Sequence, residues 1–469
     1  MREKTVMRLD SASEMTLTQQ IRWVARLTVP AILAEITSIA MQYIDAAMVG
    51  SLGERASAAI GLVSSSTWLL GGLSISLATG FSVQVAHLTG AGRDAEARNV
   101  LRQALLAALA CGFLLALAGA GLSGSLPRAL GGAADVCPDA SRYFLIYALA
   151  LPASQLRQLS GGMLQCSGDM RTPSLLNAAM CGLDVVFNGL LIFPSRSLDL
   201  WGAALTIPGA GLGVAGAALG TALAEYVTAG LMVWAVCVRS PRLRLTGGGS
   251  WRLQAPCLRT ALRVALPMAL EHSVLCSAQV ASTAIVAPLG TVAVAANALA
   301  VTAESLCYAP GYGLSSAATA LVGQSLGAGR KDLARRFAGI AVWMGVAIMS
   351  AMGVLMFFLA PWMFSLLTPA AAVRELGASV LRIEAFAEPL FAVSIVAAGA
   401  MRGAGDTLVP SVLNLVSMWG VRITAAALLA PRFGLAGVWC AMCGELCVRG
   451  CLFLVRLLRG KWLERRMMG

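Results

Sequence analysis

A chain of 469 residues, 58% hydrophobic and only 12% charged, is not an ordinary soluble domain, in which about a quarter of the residues carry charge. Its apolar runs also outlast core helices: Ala56 to Ala86 holds no Asp, Glu, Lys or Arg, and about 20 apolar residues suffice to cross a bilayer as helix. Soluble enzyme, secreted disulfide scaffold and nucleic-acid binder are excluded, and the fold class expected is an all-α polytopic membrane protein.

The first 26 residues form a polar tail with Arg2, Lys4, Arg8 and Asp10. It has no apolar core, so no cleavable signal peptide is expected and the first span itself directs the chain to the membrane. Twelve long apolar segments follow, at 27–51, 56–88, 103–127, 143–166, 172–194, 211–238, 264–288, 290–325, 337–367, 376–402, 408–430 and 434–458. With a cytoplasmic amino terminus, both tails and the even-to-odd loops hold 25 of the 35 Lys and Arg, against six in the opposite loops. This asymmetry is the positive-inside rule and predicts a multi-pass protein of the plasma (inner) membrane with both termini cytoplasmic. The net charge of +12 therefore reads as topology and contact with anionic lipid headgroups, with the bilayer as partner. Twelve scattered cysteines behave as small hydrophobes; Cys440, Cys443, Cys447 and Cys451 line one side of the last helix as packing residues.

The chain repeats itself. Gly90-Ala91-Gly92-Arg93 returns as Gly327-Ala328-Gly329-Arg330, Gly168-Asp169 with Pro173 as Gly405-Asp406 with Pro410, and Pro30 as Pro267, each 237 residues later. Gly213 and Gly216 match Gly434 and Gly437 at 221, so the first copy carries a 16-residue insertion within Pro194 to Gly211, on the non-cytoplasmic side. The organisation expected is a tail (1–26), a six-helix lobe (27–238), a basic cytoplasmic linker (239–263), a second six-helix lobe (264–458) and a tail (459–469). An even helix count per copy makes the repeats parallel, related by a pseudo-twofold axis along the membrane normal, as in alternating-access transporters. No GxxxxGK[ST] is present; Gly211 to Gly216 fits GxGxxG but opens a membrane helix, where close packing explains it. An ion gradient is left as the energy source.

Carboxylates inside the membrane cost roughly 2.5–3.5 kcal/mol each on insertion scales and mark function by default. In the first segment Glu35, Gln42 and Asp45 fall within about 80° of one helix face, and in the fifth Asn177, Asp184 and Asn188 fall within about 40°. One acid from each of two helices, flanked by carboxamides, suits a proton or sodium ion. The second lobe places its acids elsewhere: Asp45 corresponds to Ser282 and Asp184 to Val421, while Glu271, Glu304, Glu384 and Glu388 stand in segments seven, eight and ten. With Tyr308 or Tyr312, these carboxylates would offer an organic cation charge neutralisation and a ring face. Gln279 corresponds to Gln42, and Glu225 and Glu445 occupy matching places in segments six and twelve. His87 is expected to cap its helix or face headgroups. His272 adjoins Glu271, but neighbours on a helix point about 100° apart. The stretch from Asp94 to Arg102 reads as a basic amphipathic helix lying on the headgroups. No metal site or cofactor is called for beyond the coupling ion, Na+ or H+.

The set Pro30, Asp45-Ala46-Ala47-Met48-Val49-Gly50-Ser51-Leu52-Gly53, Ala58-Ala59, the two Gly-Ala-Gly-Arg loops, Asp184 with Leu191-Ile192-Phe193, Gly213 to Ala218 and Gly405-Asp406-Thr407 resembles the multidrug and toxic compound extrusion (MATE) transporters over nearly the whole chain. The resemblance implies twelve helices in two lobes arranged as a V, exporting compounds in exchange for sodium or protons. It puts a first-lobe cation site on Asp45 and Asp184 with Asn177 as neighbour, although Met180 replaces a polar family residue. Second-lobe acids fall on Glu271, on Glu388 or Glu384, and on Glu304. The expected function is export of amphipathic, cationic organic compounds by a functional monomer that has small molecules as partners, no nucleic acid and no enzymatic activity. The alternatives are a lipid-linked glycan flippase, which would line its cavity with arginine, and an exporter of an endogenous metabolite. The cavity charges expected here are acidic.

Overall fold

The computed structural model describes residues 16–200, 203–245 and 248–464, with backbone alone for 196–200 and 203–207. Most of the amino-terminal tail, Trp201 of the insertion and the last five residues lie outside the described residues. Helix α1 runs Leu17–Gly50, ten residues ahead of its apolar segment. It starts early because Thr16 and Gln19 close a capping box, each side chain accepting from the other's backbone N–H. Then come α2 (Glu54–Gly90), α3 (Asp94–Leu122), α4 (Cys137–Cys166) and α5 (Arg171–Leu191). A hairpin of β1 (Pro194–Leu200) and β2 (Ala203–Ala210) precedes α6 (Gly213–Trp234), which ends in a π-turn at Ala235–Arg239. The second half holds α7 (Ala255–Val286), α8 (Thr291–Gly327), α9 (Lys331–Leu367), α10 (Ala371–Glu384), α11 (Glu388–Gly403), α12 (Leu408–Leu415) and α13 (Thr424–Arg459).

Nine described stretches are long and apolar enough to cross a membrane, and the last of them, Leu408–Arg459, holds two crossings. It passes through a π-helical turn at Val416–Ile423 and breaks at Gly434, whose φ of 60° and ψ of −142° are not helical. Helix α4 and the pair α10–α11 complete the twelve. Three expectations change. The insertion is an antiparallel hairpin, pairing Leu200 with Ala203 and Pro194 with Ala210, so the fold is helical with one small ribbon. The tenth segment breaks at 385–387 because Pro389 has no N–H to give the Ala385 carbonyl four residues back. The linker is shorter than 239–263, since α7 starts at Ala255 with Pro256 in its first turn.

The duplication is visible in the backbone. Arg93 N–H donates to Leu88 O and Arg330 N–H to Ser325 O, both at 2.9 Å, with Gly92 and Gly329 at φ of 72° and 74°. Asp169 N–H to Leu164 O and Asp406 N–H to Met401 O repeat in the same way at 2.9 Å. Gly213 and Gly434 share φ near 60° at the offset of 221. Within the first half, α4 packs on α2, α3 and α6, and α5 on α1 and α6; within the second, α11 packs on α8, α9 and α13. The halves meet along α2–α7, α1–α8 and α2–α8.

The loop after α2 leads straight into α3 with no separate surface helix. Arg98 and Arg102 donate instead to Arg242 O and Gly248 O at 3.0 Å, tying the linker to α3. The GxGxxG stretch packs as expected: a Cβ on Gly216 would sit 2.5 Å from Leu191 O. Gly216→Ala should therefore push α5 and α6 apart and cost about 1–3 kcal/mol. Gly230→Ala, with nothing within 4 Å, should be neutral. Thermal melts of the two purified variants check this.

Candidate functional site

Three polar assemblies sit inside the helices. The first joins α1 and α5 near their ends away from the chain termini. Asp184 and Asn188 are fully buried and Asp45 half-buried. The Asn188 carboxamide donates to Asp45 Oδ1 at 2.8 Å and to Asp184 Oδ2 at 3.1 Å, so one amide bridges the two carboxyls. Asp184 and Asn188 share a face because they are one turn apart. They approach Gly220 of α6 so closely that a Cβ there would strike the Asn188 amide. Asp184 Oδ1 and Asn188 Oδ1 have no hydrogen-bond partner among the described residues. One amide thus serves two carboxylates, and two acceptor oxygens are left over. Such a set of oxygens has the chemistry to hold a proton or a hard cation.

The second assembly lines a cavity of about 410 Å3 between the halves. From the first half it takes Glu35, Arg157 and Asn177; from the second, Glu271, His272, Tyr312, Arg402 and Arg449. Arg157 binds Glu225 through two bonds of 2.7 and 3.1 Å and donates to Asn177 Oδ1 at 3.2 Å. Asn177 is therefore occupied away from Asp45 and Asp184, even though it shares their helix stripe. Glu271 accepts from Ser411 at 2.7 Å and Asn414 at 2.5 Å and lies 3.6 Å from Arg402. Arg449 lies 3.0 Å from Glu445 and over the Phe391 ring. Glu225 and Glu445 thus serve as the partners of Arg157 and Arg449. Glu35 also lies apart from the Asp45 pair, half-buried in the cavity wall, with no hydrogen bond or ion pair among the described residues.

The third assembly is sealed within the second half. Glu304, Glu384 and Glu388 are buried there. Glu384 is in the field of Glu304, Glu388, Glu445 and Arg422, and Glu304 in that of Arg422 and Arg449. No carboxyl oxygen of Glu384 or Glu388 has a hydrogen-bond partner among the described residues. These three acids do not line the cavity, and Glu271 does not join them. Tyr308 packs edge-on against Tyr312 and Phe391, with centroids 5.7 and 5.9 Å away. Gln279 is exposed on α7, outside the cavity wall. The wall thus carries three arginines beside two glutamates, where acids alone were expected.

Arg157, Arg402 and Arg449 are not among the site residues expected from the sequence. Arg157 and Arg449 were visible as arginines inside apolar segments, which requires a partner; Arg402 reads as a loop residue until α11 is seen to turn it inward.

The MatE family description matches residues 30–190 and 267–428, two blocks whose starts are 237 residues apart. The chain belongs to the MatE family. Among curated relatives, a "Probable multidrug resistance protein NorM" of Thermotoga maritima is 24% identical over 455 residues, covering 94% of this chain and 93% of the relative. One of the same description from Chromobacterium violaceum is 26% identical over 467 residues, covering 96% of each. Among solved structures, an outward-facing multidrug resistance MATE family transporter of the MOP superfamily superposes with a TM-score of 0.87 at 21% identity, covering 95% and 97% of the two chains. A MOP superfamily transporter from Pyrococcus furiosus, described as having a binding pocket of reverse polarity, gives 0.86 at 20%, again covering 95% and 97%. This MatE chain is a multi-pass membrane protein of a multidrug efflux family, with the all-α fold of the MATE transporters.

Removing one partner of a buried ion pair strands the other charge, at about 3–5 kcal/mol. Arg157→Met should accordingly lower the melting temperature sharply. The double variant Arg157→Met with Glu225→Leu should recover most of the loss, and a thermal double-mutant cycle measures the recovery.

Proposed function

We propose that this MatE protein is an antiporter of the plasma (inner) membrane that exports amphipathic organic compounds in exchange for H+ or Na+. The observation that carries the reading is the Asn188 amide shared by Asp45 and Asp184 from two different helices. In a low-dielectric interior two adjoining carboxylates do not both stay ionised unaided, so the pair takes up a proton or a cation and releases it when α1 and α5 shift apart. Asn177 and Glu35 have no part in this site. The substrate occupies the central cavity, where the aromatic face of Tyr312 meets charged groups.

The cavity's charge balance supports a cationic substrate. Arg157, Arg402 and Arg449 each have a carboxylate at 2.7, 3.6 and 3.0 Å respectively, which leaves Glu35, in the field of Arg157 but not ion-paired with it, as the wall carboxylate that can meet a positive group. A flippase for a phosphate-bearing glycan lipid would need those guanidinium groups unpaired. The sealed Glu304, Glu384 and Glu388 cluster is a second store of exchangeable protons or cations, separate from the substrate wall.

Everted vesicles loaded by a proton or a sodium gradient, one at a time, test both parts. Asp45→Asn and Asp184→Asn should each abolish gradient-driven dye efflux while leaving substrate binding; efflux at wild-type rate would overturn the coupling site. Glu35→Gln should weaken binding of cationic dyes about tenfold, roughly the 1–2 kcal/mol of one charge contact in a partly wet site, and leave neutral ones unchanged. Equal losses would overturn charge recognition.

A further inference from the structure

At the end of the cavity that faces the chain termini, two side chains cross between the halves. His87 of α2 donates from Nε2 to Gly403 O at the end of α11, at 2.9 Å. Gln324 of α8 donates from Nε2 to Cys166 O at the end of α4, at 2.7 Å. These are one interaction made twice: 87 and 324, like 166 and 403, are 237 apart, the period of the repeat. The backbones beside them interlock by the same symmetry. Gly90 meets Gln324 O and Gly327 meets His87 O so closely that neither position has room for a Cβ. His87, Gln324, Cys166 and Gly403 are all buried, and Cys166 and Arg402 form part of the cavity floor just above. The layer lies between the cavity and the side on which α1 starts and α13 ends.

We infer that His87 and Gln324 are paired latches that hold this face of the transporter shut, and that both must release before the cavity opens toward the chain termini. The inference rests on the alternating-access reading given above. The two are positioning residues: each acts through the helix end it grips and neither touches substrate. Because the pair is symmetric, a glutamine suffices at either place. A hydrogen bond from a side chain to a backbone carbonyl is strong enough to bias the closed state and weak enough to break in each cycle.

Native Cys166 reports the gate. In vesicles of both orientations, a membrane-impermeant maleimide is applied to the full chain and modification of Cys166 is read by mass spectrometry, with half-exposed Cys257 at the start of α7 marking sidedness. His87→Ala and Gln324→Ala should each raise the Cys166 rate from the terminal side by about three- to tenfold, the worth of one hydrogen bond. His87→Gln should stay at the wild-type rate with wild-type efflux. Unchanged Cys166 reactivity in His87→Ala, or a gate in His87→Gln as open as in His87→Ala, overturns the inference. If the alanine variants do not fold, the exchange variant His87→Gln with Gln324→His carries the test: a closed gate is expected and an open one overturns it. Absence of efflux by the wild type would strike the antiport reading and leave the labelling result readable.

Discussion

A charge inside an apolar slab has to be matched where it stands, and the interior of this protein is organised around that requirement. Each arginine in the cavity wall is set against a carboxylate, and Glu271 is held by Ser411, Asn414 and Arg402. Against this matched background the carboxylates without full partners stand out: the Asp45–Asp184 pair, Glu35, and the buried acids at the break between α10 and α11. Matched groups contribute rigidity, since separating them would strand a charge in low dielectric. Under-matched groups are where a proton, an ion or a cationic ligand changes the free energy most.

The duplicated backbone carries asymmetric chemistry. Turns, glycine conformations and inter-half crossings recur at a constant offset, because they depend on local hydrogen bonds and on the absence of side chains at close approaches. The charged residues do not recur. Asp45 faces Ser282 across the repeat and Asp184 faces Val421, while the second half concentrates acids where α10 breaks. The halves therefore share a backbone framework and divide the charged chemistry. The close glycine crossings recur in both halves, whereas the paired aspartates lie in the first half and the buried cluster of three glutamates in the second.

Glycine has a specific part in this. Where α2 and α8 cross, Gly90 and Gly327 bring backbone against backbone, and Gly313 brings α8 against Ile32 of α1, where a Cβ would lie 2.7 Å from Ile32 N. Without an apolar driving force between helices in lipid, such close packing supplies much of the association. Surfaces of small residues can also part and re-form without unlocking long side chains.

Much of this protein was legible in the sequence. The twelve apolar segments and the period of 237 follow from hydropathy and internal repetition, and the common face of Asp184 and Asn188 from helical spacing, all of them properties of the chain read locally; the placing of a site on Asp45 and Asp184 rests on the family resemblance. Tertiary structure alone decided the rest. Asn177 shares a stripe with Asp184, yet Arg157 of another helix takes it. Glu271, Glu304 and Glu388 look like one set and fall in two compartments. Arg402 reads as a loop residue and turns into the cavity, and His87 reads as a cap and turns out to bridge the halves. A helix's own periodicity fixes which side chains share a face, but which opposite charge or carbonyl meets that face depends on helices distant in sequence, and electrostatic matching is settled only when they pack.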